Sequence, residues 1–274
     1  MNSRIIQNIL NFIPFQFRTR IKDIPGLKQI QSVIIKKYLN NSDFVAEISG
    51  GPAKGLKFPV SLPQDKLMWI GTWELDFATA LKKAVKPGSV CYDIGGYKGY
   101  YSGIMALGGA SQVFVFEPVP KNADKIDELI KLNPFLPIQL KKYAVSDQEG
   151  KAIFKMMSEE TMGKLADSRF QTDYQFITEQ EVECISIDRL IDKGLPPPDF
   201  MKIDVEGAEE LVLKGSEATL THYKPVLMIE IHSYEIGKAC SVLLSQFYKN
   251  IRVLETGKSP GYGESEICHY VVSP

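Results

Sequence analysis

The chain has 274 residues, 44% of them hydrophobic and 24% charged, with a net charge of −1. That is enough apolar side chain for one buried core of ordinary size, with length to spare, and no apolar run reaches the ~18–20 residues that a membrane-spanning helix needs. Cys91, Cys184, Cys240 and Cys268 lie far apart and form no Cys-x-x-Cys pair, which argues against a disulfide framework or a structural zinc site. Cys91 and Cys184 sit in apolar runs and read as small core residues in a reducing compartment.

Charge is unevenly spread. Residues 1–40 hold seven basic side chains and one acid, net +6, while the remainder holds 25 basic and 32 acidic side chains, net −7. An acidic body is a poor match for a phosphate backbone, so no nucleic-acid partner is expected. Within the basic arm, Ile5, Ile6, Ile9, Leu10, Phe12 and Ile13 fall on one helical arc, and Pro14 ends the helix. Leu27, Ile30, Ile34 and Tyr38 form a second periodic stretch. Gln7, Asn8 and Asn11 interrupt the apolar run and no small-residue cleavage site follows, so a secretory signal is not expected. The expectation is a cytoplasmic chain whose arm, residues 1–40, packs on the body, joins a second subunit, or rests on the inner face of the membrane.

Residues 41–88 read as a lead-in. Residues 43–62 suit a strand pair around Gly50-Gly51-Pro52-Ala53-Lys54-Gly55, and Trp73 to Val85 suits a helix stopped by Lys86-Pro87-Gly88. From residue 89 to 274 strands and helices alternate: strand Ser89–Ile94, helix Tyr100–Leu107, strand Gln112–Glu117, helix Pro120–Leu132, strand Ile138–Tyr143. Further strands are expected at Lys151–Met157, Val182–Ile187, Asp199–Asp204 and Pro225–Ile231, with helices at Gly207–His222 and Glu235–Phe247. Ser158–Gln180 is polar and without pattern, a candidate lid over a substrate. Ile251–Glu255 and Ile267–Val272 close the chain as a hairpin. Continuous apolar strands such as Val113–Phe116 suit a sheet buried on both faces. The expected fold is α/β: a doubly wound, seven-stranded, mostly parallel Rossmann-like sheet with an antiparallel strand at one edge, preceded by the helical arm and a small β-hairpin.

Asp93-Ile94-Gly95-Gly96-Tyr97-Lys98-Gly99 lies between a strand and a helix, where glycines let the backbone turn sharply and approach a ligand. Glu117 ends the next strand, 22 residues after Gly95, where a carboxylate can accept both ribose hydroxyl protons of a nucleoside. Charge separates the two cofactors that use such a site. A dinucleotide brings an anionic pyrophosphate that Asp93 repels, whereas S-adenosylmethionine (SAM) brings an ammonium and a sulfonium that it attracts. The spacing also departs from Gly-x-Gly-x-x-Gly, which favours SAM over an NAD-dependent oxidoreductase for which no hydride-handling residue is visible. A non-catalytic SAM- or nucleotide-binding module is the other alternative.

With these pieces in place, the chain resembles the FkbM family of SAM-dependent methyltransferases from about Trp69 to His232. The most specific stretch is Lys202-Ile203-Asp204-Val205-Glu206-Gly207-Ala208-Glu209, followed by Val212-Leu213-Lys214-Gly215. Tyr100-Tyr101-Ser102, Phe116-Glu117-Pro118, Ala144-Val145-Ser146-Asp147, Trp69-Ile70-Gly71-Thr72-Trp73-Glu74 and Ile229-Glu230-Ile231-His232 support it. The resemblance implies a class I methyltransferase that methylates a hydroxyl of a sugar, glycolipid, polysaccharide or related natural product. It implies a cofactor site at Asp93, Gly95, Gly96, Tyr97, Gly99, Tyr101, Glu117, Pro118, Ala144 and Asp204. One departure stands out: the family loop usually reads Asp-x-Gly-Ala-Asn-x-Gly, and here Gly96 and Tyr97 replace Ala and Asn. Tyr97 cannot supply the amide, so that contact is lost or taken over by a stacked ring.

Methyl transfer needs alignment of acceptor, methyl and sulfur, and a group to take the acceptor proton. In an open α/β sheet this happens beyond the carboxyl ends of the strands, where Asp204, Glu206 and His232 lie. These three are the candidate catalytic residues, with His232 the preferred base because imidazole titrates near neutral pH. Asp204 and Glu206 would also suit the cap and first turn of the following helix. Glu209 and Glu210 read as its solvated face. Asp204, Glu206, Glu230 and His232 are of a type to hold Mg²⁺, but no spacing demands it and no metal is assigned. Trp69 and Trp73 are expected in the core, or as an aromatic wall for a sugar. Lys202 is left between Asp204 and Glu117 as partners.

Overall fold

The computed structural model describes residues 43–157, 163–165, 176–261 and 267–274. The helix expected at Ile5–Ile13, the partners of the basic arm and most of the candidate lid therefore lie outside the described residues.

Seven strands form the central sheet: β3 (Val90–Ile94), β4 (Gln112–Phe116), β5 (Ile138–Lys141), β10 (Phe200–Ile203), β11 (Val226–Ile231), β12 (Asn250–Val253) and β13 (Cys268–Ser273). Their order is β12-β13-β11-β10-β3-β4-β5. The pairs from β11 through β5 are parallel, and β13 runs antiparallel to both β11 and β12. The doubly wound seven-stranded reading holds, with one correction: the antiparallel strand is inserted one place in from the edge, not at it. Each half of the terminal hairpin is short, and β13 satisfies both of its hydrogen-bonding edges only by lying between two neighbours.

Alternate residues of the central strands feed two cores, as expected of a sheet covered on both faces. Cys91, Val113, Val115 and Met228 pack with the lead-in and the helices α1 (Lys66–Ile70), α2 (Leu75–Ala84), α3 (Tyr100–Leu107) and α4 (Pro120–Leu132). Tyr92, Ile94, Phe114, Phe116, Met201 and Ile203 pack with α5 (Ile187–Asp192), α6 (Glu209–Lys214), α7 (Glu217–His222) and α8 (Tyr234–Leu244). The lead-in hairpin, β1 (Asp43–Glu47) with β2 (Lys57–Ser61), places Ala46, Phe58 and Val60 in the first of these cores.

Three differences from the sequence reading have local causes. The strand expected at Val182–Ile187 is the end of a longer strand, β9 (Phe176–Ile185). It leaves the main sheet to join β6 (Ala144–Val145), β7 (Gly150–Met157) and β8 (Gly163–Leu165) in a second sheet of order β6-β9-β7-β8. Ile187 instead opens α5, whose first turn is capped by Ser186. The helix expected at Gly207–His222 is two helices broken at Gly215-Ser216. A Cβ on Gly215 would lie 2.1 Å from the carbonyl oxygen of Ser146, so the chain is pinned there against the β6 connection. All four cysteines are buried free thiols.

Candidate active site

Strand register builds the floor of the site. Lys202 of β10 lies beside Asp93 of β3 in one direction and Met228 of β11 in the other, and Glu230 of β11 lies opposite His269 of β13. A two-residue period puts Asp93, Lys202 and Glu230 on the face that also carries Cys91 and Met228. Lys202 is buried; its Nζ donates to the Gly95 carbonyl at 2.7 Å and pairs with Asp204 at 3.1 Å and Asp93 at 3.3 Å. Burial opposes its charge, but Asp204 and Asp93 outweigh that and hold its pKa above the ordinary lysine value. Of the two partners considered for Lys202, the structure selects Asp204 and adds Asp93.

Asp93 accepts a hydrogen bond from Ser102 Oγ at 2.6 Å and is fully buried beneath the loop, outside the cavity wall. Gly95 is left-handed at φ 80°, and a Cβ there would sit 1.7 Å from the Asp204 carbonyl oxygen, so only glycine fits. Gly96 is constrained differently: an added Cβ would meet Val115 Cγ2 at 2.1 Å. The β-branched Val115 thus explains why this loop carries glycine where alanine is usual. Gly99, at φ 78°, turns the chain into α3. Tyr97 adopts φ 48°, a region more easily occupied by the asparagine it replaces. Its N–H donates to Glu117 Oε2 at 2.8 Å, and Lys98 Nζ lies 5.0 Å from the centre of its ring. Lys98 in turn makes a buried pair with Asp65 at 2.7 Å, tying the loop to the lead-in.

The loop and the strand ends enclose a cavity of about 470 Å³, a usual size for a small-molecule site. Gly95, Gly96, Tyr97, Tyr101, Glu117, Pro118, Ala144, Asp204 and Glu206 all line it. At one end Glu117 accepts from the backbone N–H groups of Tyr97 and Val119 and from Asn122. Burial pushes its pKa up to about 7 in spite of those bonds. Oε1 takes the bonds from Val119 and Asn122, and Oε2, which takes only that from Tyr97, keeps a lone pair for a ribose hydroxyl.

At the other end Glu74, Asp204, Glu206 and Glu230 line the cavity. Neither Asp204 nor Glu206 caps a helix, because α6 begins only at Glu209 with Ala208 at its cap. Glu206 instead sits at φ 51°, in the left-handed region, with its carboxylate 3.3 Å from His232 Nε2. Burial outweighs the opposing charge of His232, and with Asp204 it brings Glu206 up to about 7. Burial likewise opposes ionisation of Asp204, but Lys202 and His232 hold its pKa below the ordinary value. Glu209, read as solvated, is fully buried: its Oε1 holds His232 Nδ1 at 2.8 Å and accepts from the Gly207 N–H. Burial opposes protonation of His232, but Glu209, Asp204 and Glu206 outweigh it and push His232 up to about 10. His232 is therefore an imidazolium at neutral pH and stands behind the cavity wall, not in it. Glu74, which sequence reading gave no role, enters from the start of α2 at φ 37° and accepts a very short hydrogen bond from Tyr101 Oη. Trp69 is buried in the core, whereas Trp73 reaches the cavity.

A glycine loop over a buried lysine–aspartate pair, a carboxylate at the end of the next strand and an acidic pocket beyond the strand ends are the arrangement expected of a SAM-binding methyltransferase. The chain belongs to the FkbM methyltransferase family, whose domain matches residues 93–258. It is 28% identical over 224 residues to the hexuronic acid methyltransferase AglP of Haloferax volcanii, covering 78% of this chain and 84% of that protein. It is similar to a solved methyltransferase FkbM from Methylobacillus flagellatus KT (15% identity, TM-score 0.44), covering 71% of this chain and 50% of that one. SMU.1697c of Streptococcus mutans, solved in complex with SAH, is 9% identical with a TM-score of 0.44 over 72% of this chain and 94% of that one. The protein is a SAM-dependent methyltransferase. Among the described residues no helix is long and apolar enough to cross a membrane.

Glu117 gives a measurable pH dependence. Its raised pKa means that the cofactor-free folded chain keeps a proton that the unfolded chain releases, so its burial costs stability as pH rises from about 4.5 to about 7. The expectation is that the ribose hydroxyls donate to the ionised form, so that SAM binds more weakly as pH falls below about 7. Glu117→Gln is expected to flatten the thermal stability profile across that window and to weaken SAM binding by roughly 10–100-fold, the equivalent of a hydrogen bond to a charged group. Calorimetric titration at several pH values checks both, and wild-type affinity in the variant would remove Glu117 from the ribose site.

Proposed function

We propose that this enzyme methylates a hydroxyl group of a sugar, free or within a glycolipid or polysaccharide. The observation that carries the reading is the ring of cavity-facing carboxylates opposite Glu117: Glu74, Asp204, Glu206 and Glu230. Carboxylates accept hydrogen bonds from hydroxyls, and a polyol presents several. Trp73 beside them offers an apolar face for a pyranose ring. The relative AglP, named for a hexuronic acid, supports a sugar acceptor.

When bound, SAM supplies a methyl group already activated on a sulfonium. Gly95, Gly96 and Tyr97 would cradle it, Glu117 would hold the ribose, and Asp204 would face the positive charge. Asp93 acts through Lys202, fixing the Gly95 carbonyl and Asp204 from below. Glu206 lines the cavity and takes the acceptor proton. His232, fixed by Glu209, orients the carboxylates of Asp204 and Glu206 and does not abstract the proton itself.

The test is transfer of isotopically labelled methyl from SAM to two matched panels, neutral pyranosides and hexuronosides, with alkaline treatment of the product. A base-stable methyl ether on either panel is the expected result. A base-labile methyl ester would move the reaction to the carboxylate, and an absence of transfer to any sugar would overturn the reading.

A further inference from the structure

Two of the carboxylates at the acceptor end meet a third side chain, His269, that has no part in the steps above. Glu74 at the start of α2, Glu230 on β11 and His269 on β13 each direct one ligand-type atom into a common space, all within 4.8 Å of one another. Three separate elements bring them there, two by the antiparallel register that sets Glu230 opposite His269. His269 Nε2 lies 3.8 Å from Glu230 Oε2, too long for a charge-assisted hydrogen bond but a natural separation for two atoms sharing one ion at roughly 2.0–2.5 Å from each.

The outer contacts are those of a metal site. His269 Nδ1 is held by the Glu255 carboxylate at 2.5 Å, which fixes the ring and turns Nε2 toward Glu230. A carboxylate behind one ring nitrogen is the usual support for a histidine that ligates through the other. Phe77 lies against the same ring, with centroids 4.4 Å apart. Glu74 is oriented by the Tyr101 hydroxyl and by a left-handed backbone that a glutamate rarely adopts. The inner atom is otherwise unused: His269 Nε2 is fully buried and has no hydrogen-bond partner among the described residues.

We infer that Glu74, Glu230 and His269 form a binding site for a divalent cation at the acceptor end of the cavity. Two carboxylates and one imidazole suit a hard-to-borderline ion such as Mn²⁺, and they leave coordination positions open toward the cavity. An ion there would hold acceptor oxygens in place. That role rests on the sugar hydroxyl reading, but binding of the ion does not.

The test uses the full chain, free of acceptor, after EDTA treatment and desalting. Mn²⁺ is titrated while its electron paramagnetic resonance signal is followed, and calorimetry measures SAM affinity in parallel. One saturable site is expected, weakened roughly tenfold or more in Glu74→Gln and in His269→Gln while SAM affinity stays within about twofold of wild type. Retained SAM affinity shows that the variants fold. Should either variant fail to fold, the wild-type chain decides alone: it has three histidines, and substoichiometric Mn²⁺ should broaden the ring resonances of His269 and nearby His232 more strongly than those of His222. Absence of saturable binding, affinity unchanged in both variants, or equal broadening of all three histidines would overturn the proposal. Because Mn²⁺ alone is the probe, failure here leaves the methyl-transfer reading standing, and failure to methylate sugars leaves the ion site standing.

Discussion

Lys202→Met is expected to destabilise the enzyme by about 3–5 kcal/mol, because it removes one partner of a buried charge network and leaves the others uncompensated. Lys202 pairs with Asp93 and Asp204 and donates to the Gly95 carbonyl, with almost no solvent nearby to replace it. Methionine fills similar volume, so the loss reflects charge and hydrogen bonding, not a cavity. The melting temperature should fall by on the order of 10 °C. SAM affinity should fall with it, since the lysine holds both the loop carbonyl and Asp204. Adding Asp93→Asn to Lys202→Met should recover part of the stability, because the second change removes one of the stranded charges. Single and double variants compared by thermal and urea unfolding check this. A Lys202→Met chain within about 1 kcal/mol of wild type would mean that the network contributes little.

Glu206→Gln is expected to lower kcat by about 10²–10⁴, the usual contribution of a positioned proton acceptor. The amide keeps the size and much of the hydrogen bonding of the carboxylate and should tolerate the same left-handed backbone, so folding and SAM affinity should be retained within about twofold. The wild-type rate should rise as pH increases through about 7, as burial places the Glu206 carboxyl there and only its ionised form accepts a proton. That limb should vanish in the variant. His232→Gln should behave differently. It removes the imidazolium that faces Asp204 and Glu206, so it should shift the pH limb upward while leaving its shape, since Glu206 then loses a stabilising charge. Steady-state rates against pH for the three proteins separate the roles. A Glu206→Gln enzyme with an intact limb would return the base to another group.

Much of the fold was legible because the central strands carry apolar runs such as Val113–Phe116 and alternate with amphipathic helices. Helices Tyr100–Leu107 and Pro120–Leu132 fall where their periodicity and flanking residues put them, and α4 carries proline in its first turn. The cofactor end was legible for a related reason. A glycine loop after one strand and an acid ending the next are local features, and Gly95, Gly96, Tyr97 and Glu117 all meet at one cavity.

The sequence by itself determined the alternation of elements, the glycine loop, the acid at Glu117 and the Lys202–Glu209 segment that carries the family. Tertiary structure decided what depends on contacts between distant segments. Glu209 has the sequence context of a surface residue, yet it is buried because His232, 23 positions later, needs its carboxylate. Glu74 and His269 stand almost 200 residues apart in a chain of 274 and meet only because β13 enters beside β11 and α2 opens on the same cavity. Periodicity tells which face of an element is apolar, but not which strand it will pair with, in what direction or at what register. Those choices set where each charge comes to rest, and in this enzyme they assemble the acidic end of the cavity.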